Sequence, residues 1–262
     1  MKLKYYVISL KHQTTRQASI KAQLDALGIN FEFFEGVNGR EMSEADRALC
    51  ADSDGAVLPC LWGLKVKITN ALTPGERGCA LSHLKLYQKI LDDYEAHQEQ
   101  YGTDFAAVIM EDDLVLNANL VLALNSLDVI TEPWDVVQFS DHNSVRSPAS
   151  AQRYYFEQEH GLYFARVGYP SPLLEVLQNL RRFVACAACY VVKPQACQRL
   201  IELGYPVRIP ADYLLGLLSY NRLKTMRAYP LGHFLDYVGG SDIGERPEHA
   251  LISHGLWRVP KL

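Results

Sequence analysis

Three consecutive carboxylates close an apolar run in this chain. Phe105-Ala106-Ala107-Val108-Ile109-Met110 leads directly into Glu111-Asp112-Asp113, and Leu114 is apolar again. A short continuous apolar run rich in branched residues reads as a β-strand buried on both faces. Carboxylates at the tip of such a strand are costly to place without a cation beside them. Side chains alternate along a strand, so Glu111 and Asp113 are expected on one face and Asp112 on the other. Two hard oxygen ligands so placed suit Mg²⁺ or Mn²⁺, which take carboxylates together with the phosphate oxygens of a substrate. The competing reading is a strand that emerges into an acidic turn, and these three residues are compatible with both.

A second stretch is Leu72-Thr73-Pro74-Gly75-Glu76-Arg77-Gly78-Cys79-Ala80-Leu81-Ser82-His83. Thr73 is a good N-cap, Pro74 fits the first helical position, and Glu76 completes a capping box. Leu84, Tyr87, Ile90 and Leu91 continue an apolar helical stripe. Gly78, Ser82 and His83 are small or polar where the helix begins, which allows close approach to a ligand or to another backbone. For His83 the alternative is a hydrogen-bonded histidine at a packing edge.

These residues need a frame. Tyr5 to Leu10 reads as a strand and Thr14 to Leu27 as a helix with Ala18, Ala22, Leu24 and Leu27 inward. Gly28 is placed to end it. Ile29 to Phe34 alternates as a strand and closes with Glu35-Gly36-Val37-Asn38-Gly39. Strand, helix, strand implies a parallel sheet, whose ligands sit beyond the carboxyl ends of the strands. Ser9-Leu10, the 36–39 loop and Glu111 to Asp113 therefore share one rim. The first turn lacks GxGxxG, which disfavours a dinucleotide-binding Rossmann domain. Ser43 opens a short helix, and 51–70 reads as an irregular surface excursion. Helices over Asn119–Leu127 and Pro194–Leu203, the second ended by Gly204, strands over Trp134–Ser140, Phe183–Val192 and Lys224–Tyr229, and a hairpin or loop edge around Gly161 follow. The segments 230–236 and 239–243 read as loops.

Composition narrows the class. The 262 residues, 48% hydrophobic and 21% charged, suit one compact soluble domain. A formal charge of −4 gives no basic excess for nucleic acid. The N-terminal apolar run is too short for a signal peptide. Six cysteines suggest no disulfide framework and agree with a cytoplasmic setting. Cys186-Ala-Ala-Cys189 has the spacing of a redox or zinc half-site, but it has no second pair and on a strand its thiols face opposite ways, so buried packing is favoured.

Taken in order, Tyr6 to Leu10 with Arg16, Glu35 to Gly39, Leu72 to His83 and Met110 to Asp113 resemble glycosyltransferase family 25, the bacterial lipooligosaccharide galactosyltransferases related to the collagen galactosyltransferase domain. Ala188 to Val192, Pro210-Ala211-Asp212 and Ser241-Asp242-Ile243 also fit. The resemblance implies a GT-A α/β fold, a Rossmann-like nucleotide-binding half (1–115) merged with an acceptor-binding half (116–262) around a mainly parallel sheet. It implies inverting transfer of a hexose, usually galactose from UDP-galactose, to a lipooligosaccharide or lipopolysaccharide hydroxyl. A lipid-linked acceptor implies contact with the inner face of the bacterial inner membrane.

The same resemblance distributes roles. Asp113 is the implied Mn²⁺ or Mg²⁺ ligand, with Glu111 beside it and His233 as the further ligand, Asp236 or Asp242 behind it. Ser9, Leu10, Arg16, Gly36, Val37, Asn38, Glu111 and Asp112 are implied to hold the UDP-sugar. Glu76, Gly78, Ser82, His83 and Asp242 are implied to meet the substrate sugars. Inversion needs one general base; Asp212 is the choice, with Asp141 and His142 second, and a plain helix cap remains the alternative for Asp212. The aromatic segment 154–169 is either an acceptor platform or core, and the motifs that carry the resemblance include none from 141–182, where acceptor specificity is expected. A non-catalytic nucleotide-sugar or carbohydrate-binding protein and a metal-dependent hydrolase are the competing functions.

Overall fold

A computed structural model describes residues 1–52, 55–59, 65–68, 71–102, 104–139, 151–167, 184, 186–238 and 251–254. The elements in chain order are β1 (Lys2–Ser9), α1 (Thr14–Ala26), β2 (Phe31–Glu35), α2 (Glu44–Ala48), β3 (Ala56–Pro59), β4 (Lys65–Ile68) and α3 (Pro74–Ala96). Then come α4 (Gln98–Tyr101), β5 (Phe105–Glu111), β6 (Leu114–Leu116), α5 (Ala118–Asn125), β7 (Val136–Gln138), β8 (Arg153–Glu157) and β9 (Leu162–Arg166). The chain continues through β10 (Cys189–Val192), α6 (Pro194–Gly204), α7 (Ala211–Gly216), α8 (Leu218–Asn221), β11 (Thr225–Tyr229), β12 (Leu235–Tyr237) and β13 (Leu251–His254).

The central sheet runs β2-β1-β5-β10-β7-β11-β9-β8. β1 is parallel to β2 and β5, and β7 to β11, while β10 runs against both β5 and β7. The expected α/β architecture is present, with β10 and β9 the strands that run against the common direction. Helices cover both faces, and β5 shows why. Phe105, Ala107 and Ile109 point into one core with α3, α6 and α7; Ala106, Val108 and Met110 point into the other with α1 and α5. Every residue of β5 before Glu111 is buried, as its unbroken apolar run requires.

Helix ends follow local chemistry. At α3 the Thr73 hydroxyl accepts from Glu76 N (3.2 Å) and the Glu76 carboxylate accepts from Thr73 N (2.8 Å), a complete capping box. At α1 the chain leaves through Gly28 at φ +68, and Ile29 N donates back to Leu24 O. The inward face of α1 is Ile20 and Leu24, whereas Ala18 and Ala22 are exposed. The expected inner stripe was rotated because two small alanines weigh less than one isoleucine.

Three other expectations are corrected. The surface excursion 51–70 holds β3 and β4, which pair with each other and with β13 as a separate sheet; Ala56 and Leu58 are buried, Val57 and Pro59 are not. The loop 230–236 reaches into β12, which pairs with β6 and brings Val238 N onto Asp113 O at 2.7 Å. Of the strand expected over 183–192, the described part runs Cys189–Val192, and Cys186 sits before it at φ +79, so no strand alternation separates the two thiols. Cys189 is core, and Cys186 lies 3.3 Å from the Tyr237 hydroxyl. Among the described residues all cysteines are free, and no helix is long and apolar enough to cross a membrane.

Candidate active site

The carboxyl ends of β1, β2 and β5 lie level, with Ile8 opposite Glu111 and Ser9 opposite Glu35. Beyond them opens a cleft of about 460 Å³. One wall is Ser9, Leu10, His12 and Arg16; a second is the loop from Gly36 to Glu41; a third is Gly75, Cys79, Ser82 and His83 of α3; Glu111, Asp112 and Asp113 form the floor. The rim anticipated from strand order is thus one continuous site.

Glycines let the loop sit directly on α3. A Cβ on Gly39 would lie 1.6 Å from Pro74 O, and one on Gly78 would lie 2.5 Å from both Gly39 N and Val37 O. Ser82 locks the contact: its hydroxyl donates to Gly78 O (2.6 Å) and accepts from Val37 N (2.8 Å). Gly78 and Ser82 therefore shape the pocket by holding its wall. Glu76 is buried, its carboxylate serves the α3 cap, and it is not among the cleft-lining residues.

The acids are arranged differently from a continuing strand. β5 stops at Glu111, and Asp112 and Asp113 form the turn into β6, so all three reach one cleft and the expected opposition of Asp112 does not occur. Asp112 is buried, its Oδ2 accepting from Ser9 Oγ (2.6 Å) and its Oδ1 lying 3.5 Å from the Arg16 guanidinium. Gln17 donates to Ser9 Oγ and to Leu10 O, both at 3.1 Å, which steadies that hydroxyl. Asp113 is less well served. Its Oδ1 is buried without a hydrogen-bond partner among the described residues, and burial, with Glu111 adding to the effect and Arg16 opposing it, pushes its carboxyl up to about 6. Glu111 faces α3, with Oε1 at 3.5 Å from His83 Nε2 and 3.9 Å from Cys79 Sγ.

His83 is buried and its Nδ1 lies 2.8 Å from the Tyr190 hydroxyl, which in turn lies 2.7 Å from that of Tyr87. Sequence reasoning named His83 but missed Cys79, His12, Arg40 and Tyr190. The spacing of Cys79 and His83, four apart on a helix, was the available signal.

The remaining candidates stand elsewhere. Asp212 lies in the first turn of α7 after Pro210 and is half-buried, outside the residues lining this cleft. His233 sits in the exposed turn before β12, its Nδ1 3.0 Å from Leu231 O, and also does not line the cleft. Asp141, His142 and Asp242 lie outside the described residues, as does most of 141–182. The aromatic hairpin is divided: Tyr154 and Phe164 are core, while Tyr155 is exposed against Tyr163.

The profile of Glycosyltransferase family 25 (LPS biosynthesis protein) matches residues 2–215, a span that includes every wall of the cleft. The chain belongs to glycosyltransferase family 25. Within curated proteins it is 25% identical over 136 residues to Procollagen galactosyltransferase 1-B of Xenopus laevis, covering 50% of this chain and 20% of that protein. It is 29% identical over 132 residues to a protein of Acanthamoeba polyphaga mimivirus named "Putative glycosyltransferase", covering 50% and 35%. The chain therefore spans about a fifth and a third of the lengths of these two relatives. A solved glycosyltransferase involved in the glycosylation of the major capsid of PBCV-1 is similar at a TM-score of 0.33 and 9% identity, over 78% of this chain and 66% of that one. His233 and Asp242 fall beyond the matched span.

Proposed function

We propose that this family 25 chain is an inverting glycosyltransferase that moves a hexose, galactose from UDP-galactose, onto a glycan hydroxyl of lipooligosaccharide or lipopolysaccharide. The observation that carries the reading is the cleft in which Glu111, Asp112 and Asp113 meet Arg16 beside a glycine-built loop at the strand ends. A nucleoside diphosphate needs both close backbone approach and positive charge. Gly36 to Gly39 supply the first; Arg16, Arg40 and a divalent cation supply the second. The galactosyltransferase name of the Xenopus relative supports the donor, and the family's description supports the acceptor.

The residues present fit Mg²⁺ or Mn²⁺. Asp113 Oδ1 is a buried oxygen without a hydrogen-bond donor among the described residues, and its carboxyl is held up to about 6, the environment of an acid awaiting a cation. Glu111 and Asp113 are the ligands proposed here; His233, the further ligand that the resemblance implied, is held against Asn119 at the end of the β6–β12 pair remote from Asp113 and does not join them. When bound, the ion supplies positive charge where the departing diphosphate becomes more negative.

This chain's own groups do the rest. Ser9 and Arg16 hold the Asp112 carboxylate in place, where it can accept from a donor hydroxyl. Ser82 keeps the nucleoside wall in place. Leu10 and Val37 give apolar contact to the nucleoside. The acceptor hydroxyl attacks the anomeric carbon opposite the diphosphate, its proton passing to Asp212 as general base, or to Asp141 in second place. The new carbon–oxygen bond forms as the sugar–phosphate bond breaks, and UDP leaves with that bonding pair. A lipid-linked acceptor places the work at the cytoplasmic face of the inner membrane.

UDP release from UDP-galactose with a glucose- or lactose-terminated acceptor tests this reading. Activity is expected with Mn²⁺ and not after chelation, and Asp113→Ala should lower turnover at least ~100-fold. Full turnover in EDTA overturns the metal assignment. Saturable UDP binding without transfer to any glycan overturns the transferase reading, and an Asp212→Asn protein at full rate overturns the base.

A further inference from the structure

We propose that Cys79, His83 and Glu111 form a binding site for a thiophilic divalent ion of the Zn²⁺ type, distinct in ligand chemistry from the carboxylate pair Glu111 and Asp113. Cys79 and His83 stand four residues apart on α3 and so project from one helix face, toward Glu111 at the end of β5. One ligand atom from each of the three lies within 4.8 Å of the others. Zinc bonds of ~2.0–2.3 Å in a tetrahedron put ligand atoms roughly 3.3–3.8 Å apart. The observed 3.5 Å from His83 to Glu111 and 3.9 Å from Cys79 to Glu111 are already close to that spacing.

The second observation concerns the imidazole. His83 is 2% exposed, and its Nε2 has no hydrogen-bond partner among the described residues although it faces the cleft side. The other ring nitrogen is engaged by Tyr190, which Tyr87 holds in turn. In the tautomer whose Nδ1–H donates to Tyr190, Nε2 presents its lone pair toward Cys79 and Glu111, the arrangement in which a buried histidine is oriented for a metal by its outer partner. Thiolate and imidazole favour zinc over magnesium and manganese. Binding releases the Cys79 thiol proton to solvent as the sulfur–metal bond forms, and three protein ligands leave a fourth position for water. Because Glu111 belongs to both sets, zinc and the oxygen-seeking ion compete for it, and zinc acts as an inhibitor. That inhibitory consequence rests on the transferase reading; the binding does not.

The test is spectroscopic and uses the whole chain with Co²⁺ as a zinc surrogate. One equivalent of Co²⁺ should give a thiolate-to-cobalt charge-transfer band that excess Zn²⁺ abolishes. Cys79→Ser should remove the band and weaken Zn²⁺ binding at least ~100-fold, while Asp113→Asn should retain the band. In the unaltered protein, Zn²⁺ should protect Cys79 from alkylation, read by peptide mass, and excess Mg²⁺ should not. A missing band, a band that survives Cys79→Ser in a folded protein, or Cys79 alkylation indifferent to zinc overturns the site. UDP release is not a readout here, so failure of the transferase reading gives a different result.

Discussion

The Ser9 hydroxyl donates a 2.6 Å hydrogen bond to Oδ2 of Asp112, joining the end of β1 to the turn that follows β5. Both residues are buried, and the Arg16 guanidinium lies within reach of the other carboxylate oxygen. A hydrogen bond to a charged group contributes about 1.5–3 kcal/mol, and Asp112 keeps Arg16 when Ser9 is truncated. Ser9→Ala should therefore cost about 2 kcal/mol in urea unfolding and raise the UDP-galactose KM more than it lowers kcat. Arg16→Ala should weaken donor binding further, since the buried carboxylate then loses the cation beside it. Equal donor KM values for both variants and the unaltered protein would exclude this coupling.

The contact between the 36–39 loop and α3 makes a second prediction. At Gly78 the intruding atoms are backbone, 2.5 Å from an added Cβ, so the loop must shift rather than a side chain rotate. Gly78→Ala should destabilise by about 1–3 kcal/mol and displace the nucleoside wall. Calorimetric UDP titration is expected to show at least ~10-fold weaker binding, whereas Gly28→Ala, with open space around its Cβ, should lose stability through its positive φ and leave UDP affinity unchanged.

Acid stability is expected to depend on Asp93, away from the cleft. Burial acts to raise its carboxyl, but hydrogen bonds from Lys4, Tyr6 and Lys89 outweigh that and leave it at about 2. A depressed carboxyl contributes stability above its unfolded value of 3.8, and that contribution is lost as pH falls toward about 2. Asp93 is only partly buried and water screens some of this gain, so Asp93→Asn should cost about 1–2 kcal/mol at neutral pH. Urea midpoints followed down through the window should converge with those of the unaltered protein; a gap that stays constant to pH 2 would exclude the linkage.

Local chemistry made part of this arrangement readable in the sequence. The Thr73–Glu76 cap, the buried run of β5 and the glycine that ends α1 each depend on near neighbours, and each is where the residue pattern placed it. The shared rim of Ser9, Gly36 and Glu111 also followed, because parallel strand order dictates it. What was lost depends on long-range pairing. β12 exists because β6 lies beside it, and β3 and β4 form a sheet with a strand from the other end of the sequence. The same holds for Glu111 meeting Cys79 and His83: helix spacing aligns the last two, but only the packing of α3 on the central sheet brings the carboxylate to them.

The chain of hydroxyls behind His83 gives the last prediction. Tyr190 sits between His83 Nδ1 and the Tyr87 hydroxyl, and all three side chains are buried. Removing the middle hydroxyl strands a polar atom on each side, whereas removing the outer one strands only Tyr190 on one side. An unsatisfied buried group costs about 1–3 kcal/mol, so Tyr190→Phe should destabilise by about 2–4 kcal/mol and Tyr87→Phe by about 1 kcal/mol. In the double variant the Tyr87 hydroxyl is no longer present to be stranded, so its loss should cost less than the sum of the two single changes. Additive costs in the urea cycle would mean that the three groups do not act as one hydrogen-bonded chain. With that chain broken, the His83 ring also loses its orienting partner, and Co²⁺ affinity should fall ~10–100-fold in Tyr190→Phe while Tyr87→Phe stays near the unaltered value.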